Sequence, residues 1–214
     1  RRTSRRVLER LSRVGLTMVY VGIQSGSPQT NRALFNRRQD SDEIRAFAQR
    51  ARALRITPNY DVIVDNVFED GADNEATSEL LLALPRPFKV LFFSLCHFPR
   101  TPLTERALQR GLIDEGQLEH RTSKALNNFF LVLDRSPRPE QLYWSCIKAM
   151  AVNPSFPRPL VRALRRSEQL RARPERLLAL CRAWMALRRP RGPSRQRSWL
   201  LPAVIERARL SDYI

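Results

Sequence analysis

The chain has 214 residues, 43% of them hydrophobic and 28% charged, and a formal net charge of +17. That length is enough for one sizeable core, or one core with a small appendage. No apolar stretch reaches membrane-spanning length, and no apolar run follows the basic start as a signal peptide would require, so a cytoplasmic protein with no membrane partner is expected.

Arg5 to Val14 reads as a helix, with Val7, Leu8, Leu11 and Val14 on one face and Gly15 to stop it. Met18 to Ile23 is an apolar, largely β-branched run that ends in Gln24, Ser25, Gly26 and Ser27. It reads as a buried strand entering a loop. Gly22 lies inside that strand, where a missing side chain means close approach to the backbone. Ser27 to Gln39 reads as a loop. Ser41 and Asp42 open a helix through Leu54, with Ile44, Phe47, Ala48, Ala51 and Leu54 at helical spacing. Pro58 breaks it and leads into a second strand, Tyr60 to Asn66. An acidic turn, Phe68 to Asp73, precedes a helix over Asn74 to Leu84, and Phe88 to Leu95 is the third strand. Pro99 to Pro102 turns the chain into a helix at Leu103 to Arg110, stopped by Gly111. Three apolar strands with polar carboxyl ends, separated by helices, predict a parallel βαβαβ sheet.

After Ile113 no strand is expected. Leu118 to Leu133 and Pro139 to Val152 read as helices, and Asn153 to Pro159 as a linker or sharp bend. Leu160 to Leu170 and Pro174 to Leu187 read as basic amphipathic helices. Arg188 to Pro193 is a second break, and Trp199 to Leu210 is a last short helix. Ser155 to Ile214 holds 15 Arg against 4 acidic residues, which places +11 of the +17 there. Such an excess points to nucleic acid or to a solvated basic surface, and the second is the commoner meaning. The expected organisation is an α/β unit over 1–114 and a helical, Arg-rich region over 115–214.

Four groups of residues end strands or stand out chemically. Gln24 and Ser25 either bind a polar cofactor, with Gly26 allowing close backbone approach, or form a strand cap and tight turn. Asp65 and Asn66 close an otherwise apolar strand. A carboxylate there faces a ligand or pairs with a loop Arg, because burying it alone is costly. Glu69 and Asp70 favour capping of the next helix over catalysis. Cys96 and His97 are adjacent, so on a strand they point to opposite faces and do not share a metal. His120 reads as a surface residue on a helix. Cys96, Cys146 and Cys181 are far apart and odd in number, which fits reduced thiols. No CxxC or CxxxCxxC spacing occurs, no metal site is expected, and no catalytic residue stands out.

Val21-Gly-Ile-Gln-Ser-Gly-Ser27 resembles the strand-four motif of radical S-adenosylmethionine (SAM) enzymes, commonly Gly, Ile or Val, Glu or Gln, then Ser-Gly-Ser. Asp61 to Asp70 resembles their strand-five motif. Leu95-Cys-His-Phe-Pro-Arg-Thr-Pro-Leu103 resembles their strand-six segment, and Ala107 to Gly111 fits the Ala and the Gly-Leu that come after that segment. Val67 stands where Pro is usual and Arg100 where Gly is usual. The resemblance covers about Arg5 to Asp114, and three motifs in order make it specific. It is closest to enzymes with an N-terminal cobalamin-binding domain.

The resemblance implies a partial (βα) barrel of parallel strands, the C-terminal half of a radical SAM core, followed by an all-helical tail. It implies SAM and a 4Fe-4S cluster as cofactors of the intact parent, with cobalamin as a further one. There the cluster cleaves SAM reductively to a 5′-deoxyadenosyl radical. By position Gln24 and Ser25 would touch the SAM amino acid or ribose, Asp65 and Asn66 would sit near the ribose, and the backbone of Cys96, His97 and Phe98 would meet adenine. The family's CxxxCxxC lies after strand one, and strands one to three are absent here. The chain begins Arg1-Arg2-Thr3, so a piece of a longer protein is expected, whose missing N-terminal half is the principal partner. The competing reading is a non-catalytic basic module that binds RNA or an acidic partner.

Overall fold

The structure, a computed structural model, describes residues 5–118 and 138–187. Expectations for Leu118 to Leu133, for His120, for Arg188 to Pro193 and for Trp199 to Leu210 fall wholly or almost wholly outside those residues. The chain is a mixed α/β protein. Three parallel strands, β1 (Met18–Gln24), β2 (Thr57–Val64) and β3 (Lys89–Ser94), lie in the order β1-β2-β3. Helix α1 (Arg5–Arg13) precedes them, α2 (Pro28–Phe35), α3 (Ser41–Ala53) and α4 (Gly71–Ala83) separate them, and α5 (Pro102–Gln109) follows. Then come α6 (Pro139–Val152), α7 (Arg158–Leu164), α8 (Glu168–Ala172) and α9 (Pro174–Leu187).

Side chains alternate across the sheet. Ile23 of β1, Tyr60, Val62 and Val64 of β2, and Phe92 of β3 are buried in one core with Ile44 and Ala48 of α3 and Leu80, Leu81 and Leu82 of α4. The opposite face carries Tyr20, Gly22, Asp61, Ile63, Leu91 and Phe93 and is half-buried to exposed. Pairing runs from Met18 opposite Thr57 to Gly22 opposite Asp61, then slips so that Gln24 faces Val62. The slip is a bulge at the end of β1, which re-aims Gln24.

The same core continues into the helices that follow. Nine successive residues of α6, Tyr143 to Ala151, are buried. A helix buried on all sides is a core helix, and α6 packs on α4 and α9. Cys146, Ile147 and Met150 of α6, Val161 of α7, and Leu177 and Cys181 of α9 belong to the cluster that holds the sheet. Arg86 donates to the carbonyls of Ala151 and Asn153 at the end of α6, both at 3.1 Å. A cation there complements the exposed carbonyls of a helix terminus.

Several elements differ from the sequence reading. Ser27 to Gln39 is not only a loop, because Ser27 caps α2 and Pro28 occupies its first turn. The second strand starts three residues early, with Pro58 paired opposite Val19 inside it. The fourth helix also starts three residues early, at Gly71, because Asp70 and Asp73 form a reciprocal capping box. Leu160 to Leu170 is not one helix. Its chain turns after Leu164, and Ser167 caps a second short helix by accepting from the Leu170 amide.

Candidate functional site

The carboxyl ends of the three strands lie along one edge of the sheet, where parallel α/β proteins collect their ligands. Gln24 and Asp65 end their strands with φ of 64° and 55°, a left-handed backbone that non-glycine residues adopt rarely. Two such residues at neighbouring strand ends mark a shaped edge. Gln24 stays half-buried. Arg37 reaches back over β1 and donates from Nη1 to the Gly22 carbonyl at 3.1 Å. A Cβ on Gly22 would lie 2.7 Å from Gln24 Nε2 and 2.9 Å from Arg37 Nη1. Glycine there admits both side chains across the strand. Opposite Gly22, burial raises the Asp61 carboxyl, and the Arg37 charge opposes that shift.

Ser25 is interior, with 1% of its surface exposed. Its Oγ accepts from the Ser27 amide at 3.1 Å and lies 3.3 Å from Thr77 Oγ1 on α4. Thr77 Oγ1 accepts from the Gly26 amide at 2.7 Å. A Cβ on Gly26 would fall onto the Thr77 backbone. The close approach that Gly26 permits is therefore to α4, and Ser25 serves as scaffold for the loop. Asn31 of α2, missed by the sequence reading, donates from Nδ2 to the Ser25 carbonyl at 2.7 Å.

At the end of β2, Asp65 Oδ2 accepts from Ser94 Oγ at 2.8 Å. Asn66 Oδ1 accepts from the Phe68 amide at 3.1 Å and shapes the turn. Asp70 caps α4 as expected, but Glu69 does not. Its side chain is buried beside Lys148 of α6, with 3.9 Å between Oε2 and Nζ and 2% of each side chain exposed. Lys148 Nζ also donates to Asn74 Oδ1 at 2.7 Å. Burial raises the Glu69 carboxyl and lowers the Lys148 ammonium, and each charge opposes the other's shift. The sequence signal for this pair was a single Lys inside an otherwise apolar helix face.

At the end of β3, Cys96 is half-buried with its Sγ 3.5 Å from the Ser94 carbonyl, while His97 is buried. Burial lowers the His97 pKa, so its ring is neutral near pH 7. Phe98 is exposed at the start of the turn to α5. Four buried polar atoms along this edge have no hydrogen-bond partner: Asn31 Oδ1, Asn66 Nδ2, and both ring nitrogens of His97.

The residues present do not supply a 4Fe-4S site. Cys146 and Cys181 are buried in the helical core, where burial pushes the Cys146 thiol up strongly and the Cys181 thiol up to about 12. Among the described residues no group of three or more His, Cys, Asp or Glu could hold a metal ion. Several arginines after Ser155 are paired within the protein, Arg165 as a buried side chain and Arg162 and Arg171 at the surface. Arg162 and Arg165 pair with Glu79, Arg171 pairs with Glu140, and Arg158 bonds the Leu84 carbonyl. No helix among the described residues is long and apolar enough to cross a membrane.

The chain matches no protein-family model, and no curated protein matches it.

Proposed function

We propose that the chain supplies the C-terminal half of a radical SAM core, a partial (βα) barrel whose strand ends form part of a SAM and substrate pocket. The observation that supports this most is the left-handed backbone of Gln24 and Asp65 at neighbouring ends of parallel strands, a shaped edge where such sheets collect ligands. Buried polar groups are nearly always hydrogen-bonded, so the unpartnered atoms of Asn31, Asn66 and His97 call for a polar partner, and a ligand at this edge is one. The motif at 21–27 and the two after it bring the ends of β1, β2 and β3 to that ligand. Helices pack on one face of the sheet while the other stays more open, as in the wall of a barrel.

Within this reading the Gln24 amide offers a donor and an acceptor to the amino acid part of SAM. Asn66 Nδ2 donates to a ribose hydroxyl. The neutral His97 ring carries one donor and one acceptor for a heterocycle. The cysteines that bind the cluster, and the reductive chemistry with them, belong to a preceding half of the same protein. A basic module that binds RNA is the competing reading, and the pairing of Arg162, Arg165 and Arg171 with carboxylates disfavours it by reducing the free positive charge of those helices.

Gln24→Ala and Asp65→Ala test the pocket. Losing one buried hydrogen bond to ligand costs about 1–3 kcal/mol, so SAM affinity measured by calorimetry should fall roughly tenfold or more. Thermal melts of the same variants separate a lost contact from a lost fold. If both variants bind SAM like the wild type, the pocket assignment is wrong.

A further inference from the structure

The loop that ends β1 is held from beneath, and its lowest support comes from α6, more than 110 residues further along the chain. Thr77 Oγ1 donates to the Asp73 carbonyl at 3.1 Å, which commits its proton. It still accepts from the Gly26 amide. With the Thr77 proton committed, the single proton of the Ser25 hydroxyl goes to the Glu69 carboxylate, a stronger acceptor than Thr77 Oγ1 at 3.3 Å. An acceptor at Glu69 orients Ser25 Oγ so that its lone pairs meet the Ser27 amide. Glu69 is buried, and a buried carboxylate stays charged only beside a cation. Lys148 supplies that cation, and Asn74 Oδ1 fixes the ammonium from the other side.

We propose that Lys148 is a positioning residue for the Gln24–Ser27 loop, acting through Glu69 and Ser25, so that α6 is an integral part of the site. Lys148 itself touches no ligand in this reading, since its ammonium is taken up by Glu69 and Asn74. In the proposed SAM pocket, on which the functional consequence rests, the relay sets where the Gln24 amide stands. The helical region would then decide whether the loop is ordered enough to bind.

Hydrogen–deuterium exchange of the 214-residue chain reads loop order without any ligand. Lys148→Met should speed exchange at the amides of Ser25, Gly26 and Ser27 about tenfold, while the buried half of α6 exchanges as in the wild type. Two double variants remove both charges and keep folding testable. Lys148→Met with Glu69→Gln keeps a neutral acceptor for Ser25 and should restore slow exchange. Lys148→Met with Glu69→Ala removes the acceptor and should leave the loop fast. SAM affinity should follow the same order, falling about tenfold wherever the loop is loose.

Unchanged loop exchange in Lys148→Met overturns the proposal, as does loosening spread equally over α4 and α6. Equal behaviour of the two double variants overturns it too. Failure of both to fold assigns Lys148 to stability alone and also overturns it. A wild-type chain that does not bind SAM defeats the functional reading, while the exchange measurement still decides the role of Lys148.

Discussion

His97 sits in the interior at the end of β3 with neither ring nitrogen bonded. Burial depresses its folded-state pKa below the ordinary 6.5, so the unfolded chain binds its proton more readily than the fold does. The sign follows from linkage: stability rises with pH wherever the unfolded state holds more protons. The His97 contribution is complete above the ordinary pKa and is lost as pH falls through it toward the depressed value. Melting temperatures taken from about pH 7.5 down to about pH 5.5 should therefore drop less in His97→Gln than in the wild type. Equal slopes would mean that His97 is not held neutral. The strand-end positions Gln24, Asp65 and His97 were legible, because polar residues that close apolar runs have few other places to be. The roles of Ser25 and Glu69 were not. Both face inward onto α4 and α6, and nothing in a local pattern shows which helix lies beneath a loop.

The packing of α4 against the end of β1 is where elements meet most tightly. Gly26 has no room for a Cβ above Thr77. Gly26→Ala should destabilise the protein by about 1–3 kcal/mol through overpacking, read as a lower urea midpoint at unchanged slope. A midpoint equal to the wild type would show that this contact is loose. The bounds of α6 were readable because Pro139 opens it and Asn153-Pro154 closes it around a long apolar face. The short α2 was hidden, since its eight residues carry little apolar periodicity, although Ser27 and Pro28 are a valid start signal. Leu160 to Leu170 looked continuous because the turn at Arg165 to Ser167 contains neither Gly nor Pro.

At the scale of the whole molecule, β1 and β3 each pair on one side only among the described residues. Val14 is 81% and Tyr20 is 64% exposed, with Met18 beside them at 42%. Parallel sheets are normally covered on both faces, and an open edge beside apolar side chains invites pairing. The isolated chain should associate, giving a mass above that of one chain by light scattering. A monomer with a cooperative melt would show that this edge is not available for pairing. Composition led toward two regions, one α/β and one basic and helical. One apolar core runs from Ile23 to Cys181 through both, with α6 packed on α4 and α9.

The most direct test of the central claim is an amide-resolved NMR titration of the chain with SAM, set beside the same titration with a short RNA. The account predicts that SAM shifts the amides of Gln24–Ser27, Asp65–Asn66 and Cys96–Phe98 together, while RNA leaves them in place. No response to SAM at those three strand ends, or an RNA response confined to the Arg-rich helices, would contradict it.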